Sequence, residues 1–129
     1  MPFKVTFCFV VFCLCCSNFQ LFAQQDEIIS RYYSMKDGLS NDVAFCLLQD
    51  SKGFLWIGTY TGLNKFDGYH FKTYLQNPSD SNSLASNSIH CLWEDQYQRL
   101  WVGTVTGLQL FDLNTEKFYH LVMDSLNPG

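Results

Sequence analysis

At 129 residues, with 47% apolar residues, the chain has room for one modest domain. Its net charge of −4 excludes the cationic face that nucleic acid or an anionic membrane surface requires. Four of its six cysteines lie within the first 16 residues, and the other two, Cys46 and Cys91, are too few for a disulfide framework.

In chain order, residues 1–23 come first. Lys4 is followed by an apolar run from Val5 to Cys16 and a polar stretch ending in Leu21-Phe22-Ala23. That order predicts an exported chain with a signal peptide cleaved after Ala23. The apolar run, 12 residues long, is shorter than the ~20 of a membrane-spanning helix. Acylation of Cys16 and an uncleaved anchor are the lesser alternatives, because Cys15 stands where a lipoprotein signal usually has a small residue. Cleavage removes Lys4 and no acid, so the remaining 106 residues carry −5. Residues 24–38 form a lead-in in which Ile28–Ser34 is a candidate closing strand.

The mature chain then repeats itself at an offset of 45 residues. Between Leu39–Asp67 and Leu84–Asp112, 13 of 29 positions are identical, where chance gives about two. A period of that length belongs to solenoids and propellers, and strand content decides between them. Ala44–Gln49 is almost wholly apolar and reads as an inner strand buried on both faces. Asp50-Ser51-Lys52-Gly53 turns the chain into Leu55–Thr59; Thr61-Gly62 leads to Leu63–Phe66, and Asp67-Gly68 to Phe71–Leu75. The second copy gives Ile89–Glu94, Leu100–Thr104, Leu108–Phe111 and Phe118–Val122, with two extra residues in its last hairpin. The fold class is therefore all-β: two four-stranded antiparallel blades of a β-propeller after a signal peptide. The boundaries read as blade 1 at 39–76, a linker at 77–83, blade 2 at 84–123 and the start of a next linker at 124–129. Two repeats are fewer than the three or so that usually bury a continuous core, so both outward faces are expected bare.

The recurring motif is Asp50, Gly53, Trp56, Gly58, Thr59, Gly62 and Asp67, and again Asp95, Trp101, Gly103, Thr104, Gly107 and Asp112, with Gln98 where the first copy has Gly53. Asp-x-x-Gly-x-Leu-Trp-Ile-Gly-Thr-x-x-Gly-Leu-x-x-Phe-Asp resembles the two-component regulator propeller repeat. The lead-in Tyr33-Ser34-x-x-Asp37-Gly38-Leu39-Ser40 is similar to the start of periplasmic sensor regions in hybrid two-component histidine kinases. The resemblance implies a truncated, non-catalytic sensing segment on the periplasmic side of the inner membrane. Its implied partners are an oligosaccharide ligand, further blades and a membrane-anchored kinase, with no nucleic acid for this segment. The alternatives are a fragment of a propeller enzyme (glycosidase, lyase or quinoprotein type) and a protein-interaction scaffold; the short loops disfavour the enzyme.

No catalytic residue, metal site or cofactor is assigned. Trp56 and Trp101 read as wedges between blades rather than sugar platforms, and Trp93 as core. The glycines lack the Lys-Ser/Thr and helix of a phosphate loop. The four motif aspartates read as turn caps, and His70, His90 and His120 lack metal-ligand spacing. Cys46 and Cys91 are expected to be free, buried thiols.

Overall fold

The computed structural model describes residues 30–121. The signal peptide, Cys16, residues 24–29, Val122 and the linker 124–129 lie outside the described residues. The chain divides into two units, Met1–Arg31 and Tyr32–Gly129, and the sheets belong to the latter.

A single 3-10 turn, Met35–Asp37, opens the sheet-bearing unit. Ser34 caps it and Asp37 reaches back to the Ser34 amide, a reciprocal capping box. Gly38 ends the turn at φ +106°, a left-handed conformation that a side chain would strain.

Eight strands follow: β1 Ala44–Gln49, β2 Leu55–Thr59, β3 Gly62–Phe66, β4 Phe71–Tyr74, β5 Ile89–Glu94, β6 Arg99–Thr104, β7 Gly107–Asp112 and β8 Lys117–His120. They make two four-stranded antiparallel sheets in the orders β1-β2-β3-β4 and β5-β6-β7-β8. The all-β reading of the sequence is correct. The inner pairs keep one register: Leu48 faces Trp56 as Trp93 faces Trp101, and both ladders slip at the same place, Ala44/Cys46 and Ile89/Cys91. In the outer pair Asn64 faces Thr73 while Gln109 faces His120, which absorbs the two extra hairpin residues.

The sheets meet through β1 and β2 against β5. Trp56 and Leu63 of the first join Ile89, Leu100, Val102, Phe111 and Phe118 of the second in one core, with Leu84 and Leu113 beside them. The Trp56 ring meets Phe111 edge-on at 5.2 Å, and Tyr74 meets the same Phe111 at 5.1 Å.

Four expectations are corrected. β1 is not buried on both faces: Phe45 and Leu47 are exposed, and burial concentrates in β2 and β3. An apolar strand at a sheet edge stays open wherever no second sheet covers it, and β1 and β5 are edges. Trp93 is 61% exposed rather than core, because among the described residues no sheet packs on its face of the second sheet. Cys46 and Cys91 are free, but Cys46, packed against the edge of the core on strand β1, is only half-buried, and Cys91, on the same face as Trp93, is exposed. β4 stops at Tyr74 rather than Leu75. Residues 30–34, the described part of the candidate closing strand, lie outside both sheets, the loose arrangement expected of that segment without a last blade to pair with.

Candidate functional site

The repeat motif is a set of local hydrogen bonds made twice. Asp50 Oδ1 accepts from the Lys52 and Phe54 amides at 2.9 Å each, closing the β1–β2 turn. Its Oδ2 accepts from the Trp56 indole at 2.8 Å. Asp95 repeats this with the Tyr97 and Arg99 amides and with Trp101 at 3.0 Å, and adds an ion pair to Arg99 at 2.7 Å. Desolvation pushes the Asp95 pKa up, but the bonds from Arg99, Trp101 and the turn amides outweigh it and hold the carboxyl at about 2.

Asp67 Oδ1 accepts from the Tyr69 and His70 amides, and Asp112 Oδ1 from Asn114 and Thr115; these bonds lower both pKa values. Thr59 donates to the Gly62 carbonyl at 2.9 Å and Thr104 to that of Gly107 at 3.0 Å, tying each β2–β3 or β6–β7 turn. A Cβ on Gly58 would collide with Cys46 Sγ and stand 2.6 Å from Ile89 of the second sheet, so this glycine marks a close approach. All four aspartates are committed to turn amides.

Other structural residues are not legible as such in the sequence. Asn64, fully buried in β3, accepts from the Ser40 amide at 3.0 Å, and Gln109, its counterpart in β7, from the Ala85 amide at 2.7 Å. Each amide side chain thus pins the chain leading into its blade. The 45-residue spacing of Asn64 and Gln109 is the available signal, hidden because the two residues differ.

The seam between the sheets is ionic as well as apolar. Ser51 donates to Glu94 through its amide and its hydroxyl, at 2.7 and 2.6 Å. Lys52 Nζ donates to Asn114 at 2.9 Å. Lys65 at 3.2 Å and Lys72 both pair with Glu116. The Lys72 hydrogen bond leads in lowering the Glu116 pKa, against its partial desolvation. Burial and the Glu116 carboxylate raise that of the Tyr74 phenol.

Two aromatic groups stay open. On the far face of the second sheet, Trp93, Tyr97, Arg99 and Trp101 line a shallow cleft of about 370 Å³, with the Arg99 guanidinium 5.0 Å from the Tyr97 ring centroid. At the first strands of both sheets, Phe45 and His90 stack at 5.4 Å with 15° between their planes, and Tyr60 meets Phe45 edge-on at 6.3 Å. Ser88 Oγ lies 3.3 Å from His90 Nε2. Among the described residues no three His, Cys, Asp or Glu side chains gather as a metal site would require. His70 sits near Asp67 and His120 near Gln109, so the structure does not bring the histidines together.

Residues 38–61 and 83–106 match the family model of the two component regulator propeller. The chain is 44% identical over 63 residues to histidine kinase P4 of Formosa agariphila, a match covering 49% of this chain and 5% of that protein. It also matches the solved extracellular domain of BT3049 from B. thetaiotaomicron, assigned as a hybrid two component system. That likeness has a TM-score of 0.64 and 34% identity over 69% of this chain, and it covers 13% of the solved chain. The chain thus spans a small part of either protein.

Proposed function

We propose that this chain, which carries two repeats of the two-component regulator propeller, is a non-catalytic ligand-sensing part of the extracytoplasmic region of a hybrid two-component histidine kinase. Its ligand is an oligosaccharide, and its partners are further blades and the membrane-anchored kinase of the same receptor. The N-terminal 23 residues direct its export, placing it on the periplasmic side of the inner membrane.

The observation that carries the proposal is the motif, matched in both copies and built into two sheets of one register. The relatives are a histidine kinase and the extracellular domain of a hybrid system, which supports sensing rather than chemistry. The geometry supports the non-catalytic part independently. General acid–base work needs a carboxyl within reach of a substrate proton, whereas Asp50, Asp95, Asp67 and Asp112 each hold two backbone amides.

The test is genetic. The source bacterium, fed single purified oligosaccharides, is expected to raise transcripts of genes neighbouring the coding sequence in response to one saccharide class. In-frame deletion of residues 39–121 should abolish that response. A response that survives the deletion, or none to any saccharide, would overturn the proposal.

A further inference from the structure

We propose that Tyr33 makes the lead-in a strap: its ring closes the outer face of the first sheet as Tyr74 closes the facing side of the second, and so does for the first blade what a preceding blade would do.

The two outward faces of the stack are unequal. On the outer face of the first sheet, Ile57 and Phe66 are only 7% and 9% exposed, although among the described residues no sheet packs there. On the far face of the second sheet, Trp93 is open to solvent. What lies on the first of these faces is the lead-in. The Tyr33 ring meets Phe66 edge-on at 4.8 Å and Phe71 at 5.7 Å. A Cβ on Gly38 would stand 3.5 Å from Phe71, and Leu39 is itself buried.

This contact repeats one inside the seam. Phe66 and Phe71 face each other across β3 and β4, as Phe111 and Phe118 do across β7 and β8. Tyr74, from the blade before, meets Phe111 at 5.1 Å and Phe118 at 6.0 Å, again edge-on. Both Tyr33 distances are 0.3 Å shorter than these. In each case a tyrosine from the segment preceding a blade sits on that blade's cross-strand phenylalanine pair. The sequence carries the same correspondence, since Arg31-Tyr32-Tyr33 has a basic residue two before its tyrosine, as Lys72-Thr73-Tyr74 has.

The connections differ. Residues 75–83 lead from Tyr74 to Leu84, whereas only residues 34–38 lead from Tyr33 to Leu39. The shorter link is folded by the 3-10 turn, by the reciprocal bonds of Ser34 and Asp37, and by Asp42, which accepts from the Met35 amide at 2.7 Å. Beyond it, Ser40 is pinned to Asn64 at 3.0 Å and to Thr59 at 2.8 Å. Residues 30–34 pair with no strand, so the ring is held by this turn and by its two phenylalanine partners rather than by a ladder. A segment held in that way opens locally at lower cost than a paired strand. The strap can therefore lift from Phe66 and Phe71 with both sheets intact. While it is down, the stack can take a further sheet at its second blade without baring the first.

Hydrogen exchange on the full chain, read by mass spectrometry over residues 62–74 and 107–120, tests the strap. Tyr33→Ala should lower the protection of 62–74 by about two- to tenfold, the worth of an aromatic edge contact or two, and leave 107–120 as in wild type. Tyr32→Ala, at an 81% exposed position, is the control and should change neither segment. Tyr33→Phe keeps the ring and should match wild type, while Tyr33→Leu should match Tyr33→Ala. If Tyr33→Ala unfolds the chain, Tyr33→Leu against Tyr33→Phe makes the same comparison. Protection of 62–74 that survives Tyr33→Leu overturns the strap. So does a loss of equal size over 107–120, which would make Tyr33 a support of the whole unit. A Tyr33→Phe variant as unprotected as Tyr33→Leu overturns it as well, because the hydroxyl and not the ring would then be the anchor.

Discussion

Trp56 and Trp101 occupy the same place in the same motif, and each donates its indole N–H to the aspartate six residues before it. Trp56 is nevertheless fully buried and Trp101 is not. The Trp56 ring is closed over by Phe111 and Tyr74, and the Trp101 ring borders an open cleft beneath Arg99. The motif therefore specifies the hydrogen bond, which is local, while burial depends on whether another sheet is stacked on that face. A blade makes its own turns and ladders but borrows half its core from a neighbour.

The largest expected effect breaks that comparison directly. Trp56→Ala should destabilise the two-sheet unit by about 3–5 kcal/mol, the usual loss for a fully buried large aromatic. Trp101→Ala should cost less, because that ring is only partly buried. Urea unfolding followed by far-UV circular dichroism reads both; equal losses would mean that the far face of the second sheet is covered in solution.

The glycine two residues after each tryptophan sharpens the contrast. A Cβ at Gly103 would strike the Cys91 thiol alone, whereas one at Gly58 would strike both Cys46 and the Ile89 side chain of the neighbouring sheet. Gly58→Ala is expected to cost about 1–3 kcal/mol through overpacking at the seam. Gly103→Ala should cost less, since the exposed Cys91 side chain can turn aside. The measurement is the denaturation midpoint of each variant at unchanged slope.

What is legible in the sequence follows the same division. The turn at Asp50, the strand Leu55–Thr59 and the strand Ile89–Glu94 lie where the sequence pattern puts them, because alternation, turn residues and repetition are local signals. The seam is not legible. Nothing in Lys65, Lys72 or Glu116 marks them as partners, since they meet only when the sheets stack. Nor does the apolar run of β1 reveal that Phe45 is a bulge residue: a bulge is a mismatch between two strands, invisible in either alone. Trp93 defeats the sequence reading because an apolar side chain is not thereby a covered one; its cover is a further sheet on that face.

The ionic part of the seam gives a smaller effect. Glu116 takes Lys65 and Lys72 together, and its pKa lies below the ordinary value of 4.5. A depressed carboxylate pKa stabilises the fold above the unfolded value, and the contribution is lost as pH falls through the folded one. Glu116→Gln should therefore destabilise by no more than about 1 kcal/mol at neutral pH and low salt, for a partly exposed pair. The deficit against wild type should shrink below pH about 4.5 and at high ionic strength. A deficit unchanged by pH and salt would show that Glu116 acts through packing.

The smallest effect concerns a position in the β1–β2 and β5–β6 turns where the two copies of the motif differ. Gly53 and Gln98 close equivalent turns, donating to the Asp50 and Asp95 carbonyls at 2.9 and 3.1 Å. Both are left-handed, Gly53 at φ +88° and Gln98 at φ +58°. For a residue with a side chain that conformation costs about 1–2 kcal/mol, while glycine adds freedom to the unfolded chain worth roughly 0.5–1 kcal/mol. Gln98→Gly should therefore stabilise by about 0.5 kcal/mol. Gly53→Gln should destabilise by a similar amount, since a Cβ at Gly53 meets nothing within 4 Å and only the backbone term remains. Opposite and equal shifts in thermal midpoint would show that the two turns are one structure carrying different residues. A Gln98→Gly variant less stable than wild type would mean that the Gln98 side chain makes a contact of its own, and that the second blade departs from the first in its turn as well as in its cover.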